Sequence, residues 1–128
     1  MQIFSQTIIV SEQQSAIFLG SGTLPVFATP AMIALMENTA MQAMSPILKP
    51  DECSVGIEIH ARHLKASAIG AKLSCAAHII RTEGRKLSFD IQVVDELGNI
   101  IGTAEHHRLI VHVEKFMEKL VNLSNKPQ

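Results

Sequence analysis

Residues 27–48 read FATPAMIALMENTAMQAMSPIL, and this stretch decides the fold. Thr29 followed by Pro30 predicts a helix start, because Thr is a favoured N-cap residue and Pro is favoured at the first helical position. Good helix formers, mostly Ala, Met and Leu, continue to Pro46, which ends or bends the helix. Since apolar residues lie nearly all round this helix, we expect it to be buried on most sides.

Glu37 is the exception on this helix. The residues at its i±3 and i±4 positions, Ile33, Ala34, Ala40 and Met41, are all apolar. A carboxylate in such surroundings costs free energy unless it is paired or has a chemical task. Two interpretations stay open: a structural carboxylate satisfied by a neighbouring amide, and a functional group around which a site is built.

The chain as a whole has the composition of one globular domain spanning residues 1–128. A net charge of −1 without a Lys/Arg cluster argues against a nucleic-acid partner. Cys53 and Cys75 lack metal or redox spacing, which predicts reduced thiols and a cytoplasmic location. Because we find neither a secretion-signal pattern nor an apolar run of roughly 18 residues, we expect no membrane partner.

After the helix, the period of the apolar residues changes from 3.6 to 2, which predicts strands. These later strands are predicted over residues 53–64, 71–82, 85–95 and 100–112. The short turns between them predict an antiparallel meander. Before the helix, residues 1–10 predict an edge strand and residues 11–25 a loop with a short helical turn. From Val113 a one-sided apolar stripe predicts a last helix, frayed over residues 124–128.

Alternation in the first of the later strands gives one face that we expect to be buried against the helix. That face carries Val55, Ile57, Ile59, Ala61 and His63. His63 therefore faces the helix that carries Glu37, whereas His60 has the opposite parity and is expected in solvent. Gly56 interrupts the strand and indicates either a bulge or the close approach of a ligand or another backbone.

The histidines do not make a good metal site. His106 and His107 are adjacent on a strand, so they point to opposite faces and cannot easily ligate one ion. Adding His60 and His63 brings no carboxylate or Cys at ligand spacing. We expect no bound metal and a structural role for His112.

The order of elements predicts an α+β protein: one strand, one buried helix, then an antiparallel sheet. A single sheet with one helix leaves an edge and an outer face uncovered. We therefore expect a homodimer, and whether dimers pair further into tetramers stays open.

Six short motifs follow one another within residues 26–118: FAT (27–29), LME (35–37), SVG (54–56), RHL (62–64), EGRKLSF (83–89) and HVEKF (112–116). In this order and at this spacing they resemble the fluoroacetyl-CoA thioesterase group of the hotdog-fold acyl-CoA thioesterases. The resemblance implies a hotdog fold, in which a curved antiparallel β-sheet wraps around a long central α-helix and the working unit is a dimer. It also implies hydrolysis of a small acyl-CoA thioester to a carboxylic acid and CoA.

The resemblance implies catalytic roles for Thr29, Glu37 and His63. Glu37 would be base or nucleophile, His63 a proton carrier, and Thr29 a hydroxyl that attacks or positions water. A Gly near the acyl group falls on Gly56, and a substrate-binding Arg on the last strand falls on Arg108. No cofactor is implied beyond coenzyme A as part of the substrate. Candidates for its phosphates are Lys65, Arg81, Arg85, Lys86 and Arg108.

The chain departs from that group on both sides of Thr29. Residues 11–25 are short and polar, with Phe18 as the only aromatic residue. Pro30 and Ala31 stand where the group has Gly and a bulky aromatic residue. These departures bear on acyl specificity rather than on thioester hydrolysis.

Two other functions of such a fold stay open at this point. An enoyl-CoA hydratase usually needs an Asp–His pair, and no clear Asp stands beside His63 in the strand pattern. A non-catalytic acyl-CoA binding module would not need Thr29, Glu37 and His63 together.

Helix geometry adds a constraint on any joint site. Thr29 and Glu37 are eight residues apart, which is about 12 Å along a helix that rises 1.5 Å per residue. The two side chains therefore bracket the substrate or meet across a dimer interface. We predict that the site is shared between two protomers.

Overall fold

The computed structural model describes residues 3–124, and its central element is helix α2, Thr29–Met44. The predicted N-cap role of Thr29 is wrong, because Ala28 takes the N-cap position and offers no side-chain hydrogen bond. Thr29 is instead the first helical residue, which leaves its hydroxyl available for another partner. After Met44 the chain tightens into a 3₁₀ turn, Ser45–Ile47, because Pro46 cannot continue the α-helical hydrogen bonds.

Five antiparallel strands form one sheet. They are β1 (Ile3–Ile9), β2 (Glu52–His63), β3 (Lys72–Glu83), β4 (Lys86–Asp95) and β5 (Ile100–His112). The spatial order is β1-β3-β4-β5-β2, so the predicted edge position of the first strand is confirmed. The predicted meander holds only for β3, β4 and β5. β2 pairs with β5 and not with β3, because β1 occupies the free edge of β3.

One face of α2 packs on this sheet and forms the core. Met32, Met36 and Met44 are fully buried there against sheet residues such as Phe89. Gly102 on β5 makes room for Met32, since a Cβ at that glycine would overlap the Met32 sulfur. The opposite face of α2 is exposed in the single chain, and Met41 on it is 41% exposed. Burial on most sides is therefore not observed in one chain alone.

A β-bulge between Gly56 and Glu58 reverses the alternation of β2. Gly56, just before the bulge, faces α2, and the bulged residue Ile57 is 49% exposed. The predicted burial of Val55 and Ile57 on the helix face is therefore wrong. Ile57 is the extra residue, and it moves Val55 and the residues before it to the other parity.

Downstream of the bulge the prediction is confirmed. Ile59 and Ala61 pack against the core, and His63 closes that row. His60 points the other way, and its side chain is 67% exposed. The alternation of β2 therefore has to be read separately on the two sides of the bulge.

Two short elements precede α2: a 3₁₀ turn, Glu12–Gln14, and helix α1, Ala16–Leu19. α1 ends at Gly20, whose φ of +71° is favoured by glycine. The last helix, α3, spans Val113–Ser124 and leaves its apolar stripe exposed. No helix among residues 3–124 is long and apolar enough to cross a membrane. The predicted strand residues 1–2 and the predicted frayed residues 125–128 lie outside the described part.

Candidate active site

Thr29 and His63 meet where α2 begins and β2 ends. The Thr29 Oγ1 atom lies 2.8 Å from Nδ1 of His63. The His63 ring is held edge-on to the ring of Phe27, with the ring centroids 6.1 Å apart. Two residues named from the sequence, 34 positions apart, are therefore in direct contact.

A cavity of about 330 Å³ opens beside this pair. Its wall includes Phe27, Thr29, His63, Leu64 and Lys65. A hydroxyl, an imidazole and an ammonium group thus line one space with apolar side chains. This is the usual composition of a small-molecule site.

Burial sets the protonation of His63. Desolvation lowers the pKa of its imidazole below the usual value, and the nearby backbone of Lys65 opposes that shift. The ring is therefore neutral at neutral pH and can accept a proton. Its Nε2 atom is buried and, among residues 3–124, has no hydrogen-bond partner. Within that same range no carboxylate orients the ring from behind, unlike the third residue of a Ser-His-Asp triad.

Glu37 lies in a second cluster, over Gly56. A Cβ at Gly56 would lie 2.7 Å from the Glu37 Oε2 atom, so the missing side chain makes room for the carboxylate. The same oxygen is 3.9 Å from Nη1 of Arg108, and the Glu37 side chain is 42% exposed. The carboxylate thus has a cationic neighbour and an open side. The predicted bulge at Gly56 is confirmed. The group that approaches Gly56 in one chain is the Glu37 side chain, so the approach of a ligand or another backbone stays a prediction.

Arg108 is buried in this cluster and anchored through its guanidinium. It is opposite Gly56 in the β2–β5 register and is only 6% exposed. Its Nε donates to the Ser54 hydroxyl at 2.9 Å, and Nη2 donates to the Ser54 carbonyl at 3.0 Å. Burial lowers the pKa of Arg108, while the Glu37 carboxylate opposes that shift. A buried cation of this kind is tolerated because it is hydrogen-bonded and faces a carboxylate.

His106 belongs to this cluster and was not predicted from the sequence. Its Nε2 atom is 3.2 Å from Nη1 of Arg108, and the residue is 1% exposed. The available signal was parity, because residues 106 and 108 alternate onto the same face of β5. As predicted, His107 points to the opposite face, where Nδ1 lies 2.8 Å from the Ser88 hydroxyl. Across the described residues, no group of three His, Cys, Asp or Glu is placed to hold a metal.

The basic candidates for CoA phosphates are now separated by position. Lys65 lines the cavity beside Thr29. Arg81 pairs with Glu83 at 2.7 Å on the surface, and Arg108 is buried. Lys65 is therefore the candidate that shares a cavity wall with the Thr29–His63 pair.

Comparisons with known proteins identify one family. A family model described as fluoroacetyl-CoA-specific thioesterase matches residues 10–114. The fluoroacetyl-CoA thioesterase of Streptantibioticus cattleyicolor is 38% identical over 95 residues, covering 74% of this chain and 68% of that one. A solved variant of a fluoroacetyl-CoA thioesterase in complex with acetyl-CoA has a TM-score of 0.89 at 30% identity, covering 98% and 97% of the two chains. A hot-dog-like protein from Thermanaerovibrio acidaminovorans shares the fold, with a TM-score of 0.86 at 18% identity over 98% and 92%.

The sheet order, the central helix and these matches define a hotdog-fold acyl-CoA thioesterase, which is a thioester hydrolase. The match covers more than half of the chain and includes both residue clusters on α2. The chain belongs to the fluoroacetyl-CoA-specific thioesterase family.

Proposed function

We propose that this protein hydrolyses the thioester of a small acyl-CoA at a site that two copies of the chain build together. The contact between Thr29 Oγ1 and His63 Nδ1, 2.8 Å long at the wall of a cavity, carries the proposal. A solved relative holds acetyl-CoA, which supports a short acyl group. Coenzyme A enters as part of the substrate, and no other cofactor is proposed.

The Thr29–His63 pair supplies a hydroxyl and a base. Because burial keeps His63 neutral, Nδ1 can take the proton of the Thr29 hydroxyl or of a water that this hydroxyl positions. The activated oxygen attacks the thioester carbonyl, the C–S bond breaks, and the CoA thiolate takes the proton that His63 holds. Attack by water gives the carboxylic acid directly, whereas attack by the Thr29 hydroxyl gives an acyl ester that a water, deprotonated by His63, then hydrolyses. Detection of an acyl-enzyme by mass spectrometry separates attack by the side chain from attack by water.

Glu37 supplies the second functional group, but in one chain it lies away from the first. Its observed charge partner is Arg108, and about 12 Å of helix separates it from Thr29. Among the described residues, the contacts of Glu37 with Arg108 and Gly56 share no residue with the Thr29–His63 pair. The proposed site therefore takes Thr29 and His63 from one protomer and Glu37 from its partner.

The edge strand β2 offers a way to bring these groups together. β2 has a free edge and is 12 residues long, and identical strands can pair antiparallel about a two-fold axis. Ile59 and His60 lie midway between Gly56 and His63. A two-fold axis at that midpoint puts Gly56 of one protomer opposite His63 of the other. The partner's Glu37, which lies over its own Gly56, would then face the Thr29–His63 pair.

Reduced thiols support a cytoplasmic location for this enzyme. Cys53 and Cys75 are free, and burial raises the pKa of the Cys75 thiol, which keeps it unreactive. We expect neither a reductant nor a chelator to change the activity.

A panel of acyl-CoAs tests the proposal directly. Acetyl-, fluoroacetyl-, propionyl- and longer acyl-CoAs are incubated with the enzyme, and released CoA is followed with a thiol-detecting dye. We expect the highest kcat/KM among the short acyl groups. Helix α1, in the segment that departs from the family pattern, exposes Ile17, Phe18 and Leu19. The panel therefore compares kcat/KM for acetyl-CoA with kcat/KM for fluoroacetyl-CoA. Failure of every acyl-CoA to release CoA would overturn the proposed function.

A further inference from the structure

We propose that His106 is a positioning residue: its imidazole stays in one neutral tautomer and holds the Arg108 guanidinium toward Glu37. The inference rests on the proposed function, because the group that it serves is the Glu37 carboxylate. His106 does not reach the cavity at Thr29, and its ring contacts Arg108 and the backbone.

The two ring nitrogens of His106 determine the tautomer. Nδ1 lies 2.8 Å from the carbonyl oxygen of Glu58, which can only accept, so Nδ1 carries the proton. Nε2 lies 3.2 Å from Nη1 of Arg108, which can only donate, so Nε2 keeps its lone pair. A single neutral tautomer satisfies both contacts. Protonation would turn the second contact into two opposed N–H groups.

The bulge in β2 provides the acceptor for this arrangement. It disrupts the β2–β5 ladder between Gly56 and Glu58, and the Glu58 carbonyl accepts from the His106 side chain. The same bulge turns Gly56 toward the helix and so makes room for Glu37. One backbone irregularity thus places the carboxylate and fixes the histidine behind its cation.

Arg108 needs His106 to complete its anchoring. Ser54 accepts from Nε and Nη2 and leaves Nη1 as the remaining nitrogen. Nη1 is also the nitrogen that approaches Glu37, at 3.9 Å. Without an acceptor at His106 Nε2, Nη1 loses its closest partner while staying buried. Burial further lowers the pKa of His106, which keeps the accepting form populated.

Two substitutions of His106 separate its two contacts. Asn places an amide donor near the Nδ1 position and keeps the bond to the Glu58 carbonyl, but it cannot reach Arg108. Gln places an amide oxygen near the Nε2 position and keeps the acceptor for Arg108. His106→Asn should lower kcat about tenfold or more with a smaller change in KM, because a buried charged donor loses its partner. His106→Gln should retain most of the activity.

A matched control lies one residue away. His107 is also buried, at 7% exposure, but hydrogen-bonds Ser88 on the opposite face of the sheet. His107→Asn should keep kcat, so a general cost of replacing a buried histidine is separated from the loss of positioning. In a double-mutant cycle, His106→Asn should add little to Arg108→Ala, since both remove the same interaction. Wild-type kcat in a folded His106→Asn variant, equal losses in the two Asn variants, or additive losses would overturn the proposal.

Nitrogen NMR gives a readout that does not depend on activity. At neutral pH the His106 ring should show a protonated Nδ1 and an unprotonated Nε2. The opposite tautomer, or an imidazolium, would overturn the proposal even in a fully active enzyme. A wild-type protein that shows this tautomer but hydrolyses no acyl-CoA would overturn the proposed function instead, and with it the role of His106 toward Glu37.

Discussion

Helix α2 carries two clusters that are built in opposite ways. At its first turn, Thr29 and His63 make one hydrogen bond at a cavity wall, and the far nitrogen of His63 has no partner among the described residues. About two turns later, Glu37 faces Arg108, a buried guanidinium whose three nitrogens are all hydrogen-bonded. A loosely held pair can exchange a proton, whereas a fully anchored guanidinium supplies a fixed charge. In the proposed reaction the first cluster moves protons and the second provides a preorganised field.

The largest effect is expected when either cluster loses its reacting group. His63→Ala should lower kcat by roughly 100-fold or more, the contribution typical of a positioned acid–base group. Glu37→Gln should lower kcat by roughly 100-fold or more as well, because it removes the charge that the second cluster holds in place for the reaction. CoA release from the best substrate of the panel measures this. His78→Ala is the matched control, since His78 is exposed on β3, away from the β2 edge at which the proposed dimer forms. Unchanged turnover in either of the first two variants would remove that residue from the mechanism.

Mixed dimers test whether the two clusters act within one chain or across two. Thr29→Ala and Glu37→Gln homodimers should each be nearly inactive. A mixed dimer, purified through two different affinity tags, holds one site with both groups intact if the site is shared. It should recover about half of the wild-type activity, because one of two equivalent sites is complete. A mixed dimer as inactive as its parents would mean that each chain supplies its own complete set.

Two glycines give a smaller and more selective comparison. Gly56→Ala puts a methyl group 2.7 Å from the Glu37 Oε2 atom, which is the end of a flexible, half-exposed side chain. The carboxylate should move away from Arg108, lowering kcat about tenfold with little change in Tm.

Gly102→Ala is the contrasting variant. There the new methyl group meets fully buried Met32 and lies 2.9 Å from the Arg62 carbonyl. It should lower Tm by several degrees, as overpacking of a core does. A loss of Tm in Gly56→Ala as large as in Gly102→Ala would show that the cluster at Gly56, where the new methyl group also lies 3.2 Å from the His106 ring, is packed as tightly as the core.

The contrast between the clusters also explains what could be predicted. The helix, its carboxylate and the inward-facing His63 follow from local period and parity, which depend on neighbouring residues only. The bulge after Gly56 could not be predicted in this way, because a glycine in a strand fits several backbone arrangements. This bulge is the reason why Val55 and Ile57 lie off the predicted face. The β2–β5 pairing was not predicted for a related reason. Strand order depends on which strands, far apart in sequence, compete for the same sheet edge.

The first helical turn shows the same limit at a single residue. Thr29 has a side chain that is typical of an N-cap, but its hydroxyl forms a hydrogen bond with His63, the last residue of β2. A contact 34 positions away in sequence thus displaced the local prediction. Tertiary contacts of this kind are what a single sequence read by pattern leaves out.

The smallest expected effect is a pH dependence of stability that both clusters contribute to. Burial lowers the pKa of His63 and of His106, whereas a histidine in an unfolded chain titrates near about 6.5. Below that pH the unfolded chain binds protons that the folded chain does not. The free energy of unfolding should therefore fall as the pH drops from about 6.5 toward the lowered pKa values, and be unaffected by these groups above about 6.5. The lowered pKa values of Glu58 and Asp95 act in a separate and more acidic range.

Activity distinguishes the two histidines within that range. Neutral His63 is the form that accepts a proton. As the pH is lowered, kcat/KM should therefore fall, with a midpoint below about pH 6.5. His106→Gln should flatten the pH dependence of the unfolding free energy, measured with urea at about pH 5 and about pH 7.5, because one buried histidine is gone. It should leave the kcat/KM midpoint in place, because the His106 ring exchanges no proton with the substrate. A midpoint that moves with His106→Gln would mean that the two clusters titrate together, and the division between a mobile proton and a fixed charge would have to be abandoned.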